Sequence, residues 1–232
     1  MRLGTCRVVL ALLLAAVGVP GWGQVGATAP EFQLDYSNPA LSPPHWILTL
    51  HPDASGHFHS DRGSLATSKV RTSGQLNNQG IEAPDVDRDL NVSAGFADRV
   101  FEAARQGRLF RSDCESHMKV AFQGWKKLTY IGPEGAGSCE FNYSKDKEIQ
   151  GLGESLIAVA AGILEGARLE ALLQHDPLGL DSEMEYLSEA AKDGRVQEVR
   201  TIREILVRLA ADPAVMTRVR KRARALLTGI GK

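Results

Sequence analysis

"HWILTLHPDASGHFHSD", residues 45–61, decides how the chain is read. Two short alternating runs, His45 to Leu50 and His57 to Asp61, flank the turn-forming cluster "HPDASG", which predicts a β-hairpin. On such strands Trp46, Leu48 and Leu50 share one face, and Ile47, Thr49 and His51 share the other. If Phe58 returns to the Trp46 face, His57 and His59 stand beside His51, with Asp53 and Asp61 nearby. Three neutral imidazoles converging in this way suit zinc, copper or nickel. The competing reading, which leads here, is the hydrated polar face of a sheet that holds no cofactor.

Upstream of the hairpin, Met1, Arg2 and Arg7 precede "VVLALLLAAVGVP" and the small-residue run "GWGQVGATA". Basic residues, an apolar centre and small residues in that order predict a secretory signal peptide over residues 1–29, cleaved after Gly23 or Ala29. The apolar stretch from Val8 to Val19 is twelve residues long, too short to cross a bilayer comfortably. The mature chain is therefore expected in a periplasm or outside the cell. Loss of the leader removes Cys6 and leaves Cys114 and Cys139, a pair expected to form a disulfide in an oxidising compartment.

Downstream, residues 63–84 carry much Ser, Gly, Asn and Gln and few large apolar side chains, which predicts a mobile loop. "DVDRDLNV" then sets Val86, Leu90 and Val92 against Asp85, Asp87, Asp89 and Asn91 with a period of two, as a strand does. Ser93 is an N-cap for a helix over Ala94 to Gln106, with Phe96, Val100, Phe101 and Ala104 on its apolar side and Gly107 after it. "HMKVAFQ", "KKLTYIG" and "SCEFNYS" read as three further strands of an antiparallel meander.

From Lys147 the pattern becomes helical. An apolar stripe from Ile149 to Leu172 predicts one long helix to about residue 174, weakened by Gly151, Gly153, Gly162 and Gly166, whose small size lets a neighbouring element approach closely. Three shorter helices are expected over Asp181–Lys192, Arg195–Ala211 and Pro213–Leu227, the last announced by Asp212-Pro213. Residues 141–190 hold three Lys/Arg against ten Asp/Glu, and residues 191–232 hold eleven against four, so helical blocks of net charge minus seven and plus seven are expected to face each other.

The last helix carries Arg218, Arg220, Lys221, Arg222 and Arg224 beside its apolar stripe. These make a basic surface that suits an anionic membrane or, in the leading reading, the acidic helices upstream. No nucleic-acid partner is expected; the sequence leaves the partner unknown, a protein being one candidate.

Several catalytic patterns fail on inspection. "DVDRDL" begins like a calcium loop, but Leu90 and Phe96 occupy the positions that need glycine and a bidentate glutamate. "GPEGAGSCEF" leads into a strand rather than the helix that a phosphate loop requires, and "GLGESL" lacks the lysine and hydroxyl of a nucleotide loop. Cys114 and His117 are three apart, yet a disulfide-bonded sulfur is no nucleophile. No HExxH, GxSxG or CxxC occurs.

The stretches "DCESHMKVAFQGWKKLTY" (113–130), "GSCEFNYSKD" (137–146) and "ILEGARLEALLQHDPLGLD" (163–181) resemble uncharacterised secreted proteins of soil bacteria, a resemblance that implies no known activity. Residues 45 to about 165, with Ser55-Gly56-His57-Phe58 in a hairpin, resemble in element order the small emfourin-type protease inhibitors. That second resemblance implies inhibition through the hairpin, although the cysteine pair, the loop after Asp61 and the extra helices depart from the pattern.

The combined expectation is an α+β protein: an antiparallel sheet of five or six strands with a packed helix, followed by a helical C-terminal region. The sheet domain is expected over residues 30–145 and the helical region over 146–232. The leading function is an exported, non-catalytic binding or structural protein. The alternatives are a metal-binding protein or metal-dependent enzyme using His51, His57 and His59, and a protease inhibitor.

Overall fold

A computed structural model describes residues 29–61, 63–65, 81–83 and 85–230. All but the last residue of the expected signal peptide, and most of the loop expected at 63–84, lie outside the described residues.

The fold is α+β. Six strands, β1 (Glu31–Ser37), β2 (His45–Leu50), β3 (Ser55–Ser60), β6 (Val86–Asn91), β7 (Trp125–Gly132) and β8 (Gly135–Phe141), form one antiparallel sheet in the order β6-β3-β2-β1-β7-β8. Two short strands, β4 (Gly63–Leu65) and β5 (Ile81–Ala83), pair separately at the ends of the segment read as a loop. Period-two alternation gives the large sheet one apolar face. Phe32, Leu34 and Tyr36 of β1, Trp46, Leu48 and Leu50 of β2, Phe58 of β3 and Leu128 and Tyr130 of β7 are all buried on it.

The strand number agrees with expectation, but one member differs. "HMKVAFQ" is not a strand: Met118 and Phe122 are about half exposed, and the segment is tied by Asn142, whose Oδ1 accepts from Gln123 N–H and whose Nδ2 donates to Ala121 O. Its place is taken by β1, which pairs on one side with β2 (Leu34 opposite Leu48) and on the other with β7 (Leu34 opposite Leu128). The alternation of Phe32, Leu34 and Tyr36 was visible in the sequence, but it abuts the expected cleavage site.

Helix α1 (Ala94–Gln106) follows β6 as expected, and Ser93 Oγ accepts the Phe96 N–H at its start. After Gly107 the chain turns with Arg108, Leu109 and Phe110 at positive φ (52°, 57° and 58°), which drives Leu109 and Phe110 into the core. Helix α2 (Lys147–His175) is capped by Asp146, whose Oδ1 accepts from Glu148 and Ile149 N–H. Helices α3 (Leu180–Lys192), α4 (Arg203–Ala211) and α5 (Thr217–Ile230) complete the chain.

Two predicted helix starts are corrected. The segment beginning at Arg195 makes no helix until a 3-10 turn at Val199–Ile202, because Glu198 takes a left-handed conformation (φ 49°), and α4 begins only at Arg203. Asp212-Pro213 starts a turn rather than a helix: Asp212 Oδ1 accepts from Ala214 N–H and its carbonyl from Val215 N–H, so α5 starts four residues later, at Thr217.

Two apolar clusters result. The first joins the buried sheet face to α1 and to α2 from Ile149 to Ala167; the second joins Leu169 and Leu172 of α2 to α3, α4 and α5. Helix α2 therefore belongs to both. Three of its four glycines work as read and Gly151, with nothing within 4 Å, does not: a Cβ on Gly153 would lie 3.1 Å from Lys126 Cδ, one on Gly166 would overlap Ile202, and one on Gly162 would lie 3.1 Å from Val196 Cγ1, so the 196–202 segment packs directly on the helix. Gln197 N–H even donates to Ala158 O of α2, at 3.1 Å. Within this region Arg168 Nη1 donates to Glu165 (2.7 Å) and Glu183 (2.9 Å), a buried ionic group that ties α2 to α3.

Candidate functional site

The second face of the sheet carries the hairpin histidines, and register decides what they meet. Antiparallel pairing puts His57 opposite both Thr49 of β2 and Asp89 of β6, and His59 opposite Ile47 and Asp87. His45, at the start of β2, sits beside Asp61, the first residue beyond β3, and diagonal to Asp35 of β1. Imidazoles and carboxylates thereby form a strip across β1, β2, β3 and β6.

Contacts in the strip are close. His45 Nδ1 lies 2.9 Å from Asp61 Oδ2 and its Nε2 lies 3.0 Å from Asp35 Oδ1. His57 Nδ1 is 2.9 Å from Asp89 Oδ1 and its Nε2 3.3 Å from Asp87 Oδ1, while His59 Nδ1 is 3.0 Å from Asp87 Oδ2. An ionised carboxylate only accepts hydrogen bonds. Both bonds at His45 are satisfied together when the ring carries two protons. Burial opposes that cation, but the hydrogen bonds to Asp61 and Asp35 and their charges outweigh it, holding the His45 pKa above the ordinary 6.5. The strip remains wet, with His45 about one-third exposed and Asp89 almost fully exposed.

The trio read from the sequence is not the group that assembles. His51 lies beyond β2 in the hairpin turn, where its N–H donates to Ser55 O and its carbonyl accepts from Ala54 N–H. Among the described residues no hydrogen bond or ion pair joins its ring to His57 or His59. Nor, among those residues, does any set of three or more His, Cys, Asp or Glu side chains take an arrangement suited to a metal ion. Sequence reading missed His45 and Asp35 as members. The alternation in "DVDRDLNV" does put Asp87 and Asp89 on an exposed strand face, but it carries no signal that β3 is the strand beside β6.

Chemically the strip offers charge and hydrogen bonding. In a nucleophile–histidine–carboxylate triad one ring nitrogen faces the carboxylate and the other the nucleophile. Here both nitrogens of His45 and of His57 face carboxylates, whereas among the described residues His59 meets a carboxylate, Asp87, through Nδ1 alone. The Cys114–His117 pairing is closed, since Cys114 and Cys139 form a disulfide with Cα atoms 5.7 Å apart, and His117 Nε2 turns to Asp113 at 2.7 Å.

Phe58 and Gly56 of the β2–β3 hairpin are buried between β2 and β6, leaving Pro52 and Asp53 as its exposed tip. Asp53 is held by Ser55, whose Oγ–H and N–H both donate to Oδ1, and these bonds lower the Asp53 pKa.

In the helical region the basic helix α5 meets the acidic α3. Arg218 and Arg222 both reach Asp181 of α3 (2.7 and 2.6 Å), and Arg222 also reaches Glu185 (3.3 Å). Arg224 donates to Ala210 O and Arg220 to Thr217 Oγ1, while Lys221 is exposed. Two of the five basic residues singled out in the sequence thus spend charge on an internal acidic partner.

Among the described residues no helix is long and apolar enough to cross a membrane. Compared with known proteins, the chain matches no family profile, and no curated protein is significantly similar to it.

Proposed function

We propose that the protein is an exported, non-catalytic binding protein that uses the polar face of its sheet to recognise a basic segment of a partner protein. The observation that carries the reading is the strip itself: Asp35, Asp61, Asp87 and Asp89 stand on one sheet face with their carboxylates oriented by three imidazoles. Side chains already held in place lose less conformational entropy when a partner arrives. Four carboxylates against three titratable rings leave the face acidic, so it attracts Lys and Arg. The cysteine pair and the leader-like N-terminus support an oxidising destination.

Binding of the oxidised chain to an immobilised lysine-rich peptide tests the reading, with an acidic peptide of equal length as reference. The expected result is saturable, salt-sensitive binding that Asp87→Asn with Asp89→Asn weakens about tenfold, whereas Glu185→Gln with Glu189→Gln on α3 leaves it unchanged. Equal loss from both double variants, or no preference for the basic peptide, overturns it. Export has its own test: the mass of protein recovered from the native host places the N-terminus after Gly23 or Ala29, and an intact leader refutes secretion.

A further inference from the structure

A cavity of about 660 Å³ opens between the C-terminal part of α3, the 3-10 turn at Val199–Ile202 and the last turns of α5. This volume falls in the range of small-molecule sites, and, like them, the cavity is lined mostly by apolar atoms with a few polar groups. Ala191, Val199, Leu226 and Ile230 supply the apolar wall. It lies in the helical region and adjoins, at Arg200 and Ile230, a second cavity that reaches Asp87 and Asp89 of β6, but its own lining includes neither of those carboxylates.

The charged groups around the cavity differ in what they have left to give. Glu198 is spent: its Oε2 accepts the Ser93 N–H at 2.6 Å and its Oε1 the Ser93 Oγ–H at 2.7 Å. Arg222 is committed to Asp181 and Glu185. Arg200 donates through Nη2 to Ile230 O at 3.2 Å and lies 3.9 Å through Nε from Glu198, leaving donors free on its guanidinium. Lys192 has no carboxylate within ion-pair distance among the described residues. An apolar chamber with an unspent cation at its rim is complementary to a molecule with an apolar body and one anionic end.

We propose that this cavity binds a free monocarboxylate of the fatty-acid type, its tail against Val199, Leu226 and Ile230 and its carboxylate at Lys192 and Arg200. The tail gains from leaving water, and the head exchanges hydration for charge-assisted hydrogen bonds. No covalent step is involved.

Isothermal titration of the oxidised chain with dodecanoate, held below its micelle concentration, tests the proposal against dodecanol, which has the same tail without the charge. One dodecanoate is expected to bind per chain, with dodecanol about tenfold weaker. Leu226→Trp, which fills the chamber, is expected to abolish binding, and Lys192→Gln to weaken dodecanoate about fivefold while leaving dodecanol unchanged. Circular dichroism checks that each variant keeps the fold; should Leu226→Trp fail to fold, the exposed Lys192→Gln substitution decides alone. No saturable binding, equal affinity for acid and alcohol, or wild-type affinity in Lys192→Gln overturns the proposal.

Discussion

His45 concentrates the electrostatics of the sheet in one side chain, because its two ring nitrogens reach carboxylates on either side of β2. Its pKa is raised in the folded state, so the folded chain holds this proton more tightly than the unfolded chain does. The resulting stabilisation is fully present below the unfolded value of about 6.5 and is lost as pH rises through the higher folded value. His45→Gln should therefore lower stability by about 0.5–1 kcal/mol near pH 5.5, the scale of a partly exposed ion pair, and much less near pH 8.5. Urea denaturation of both proteins at the two pH values measures this, and a difference that does not shrink with pH contradicts the assignment. Gly166 is the matching case in the interior. A methyl group there meets Ile202, so Gly166→Ala should cost about 1–3 kcal/mol despite alanine's better helix propensity, whereas Gly151→Ala, with open space around it, should stabilise. Thermal midpoints of the two variants should move in opposite directions.

Among the elements, α1 shows how a local signal and a distant one combine. Ser93 was legible as an N-cap from sequence alone, and its hydroxyl does accept the Phe96 N–H. What sequence could not show is that Glu198, 105 residues away, takes the Ser93 N–H and hydroxyl proton as well. Ser93→Ala should cost about 1–2 kcal/mol, at the upper end for a cap, because the Glu198 carboxylate loses a partner too. Chemical denaturation of the variant checks the size of the loss. The same contrast explains which elements were readable. Alternation exposed β2, β3, β6, β7 and β8, and a helical stripe exposed α2, because each signal lies within one segment. "HMKVAFQ" has the composition of a strand but found no ladder, and Asp212-Pro213 has the composition of a helix start but closed a turn. The strip was half legible for this reason: each strand's facing was readable, whereas the order β6-β3-β2-β1 that brings Asp87 to His59 was not. The disulfide, by contrast, was legible from the cysteine count together with the compartment expected from the leader-like N-terminus. Replacing both cysteines by serine should lower stability by about 3 kcal/mol for a separation of 25 residues, read as a fall in urea midpoint with a steeper slope, because the unfolded chain without the crosslink exposes more surface.

Across the whole molecule charge is arranged in opposed blocks. The acidic α3 and basic α5 meet through Asp181, Glu185, Arg218 and Arg222, and the buried Arg168 ties α2 to α3 through Glu165 and Glu183. Two apolar clusters sit side by side, one under the sheet and one among the helices. Helix α2, 29 residues and about 43 Å long, runs through both. Losing either cluster would strip partners from a helix that the other still needs. The two halves should consequently melt as a single cooperative unit, and calorimetry should give one endotherm whose van't Hoff and calorimetric enthalpies agree. A shared backbone of this kind also implies resistance to degradation: if neither half opens alone, a protease must wait for global unfolding before it can cut within α2.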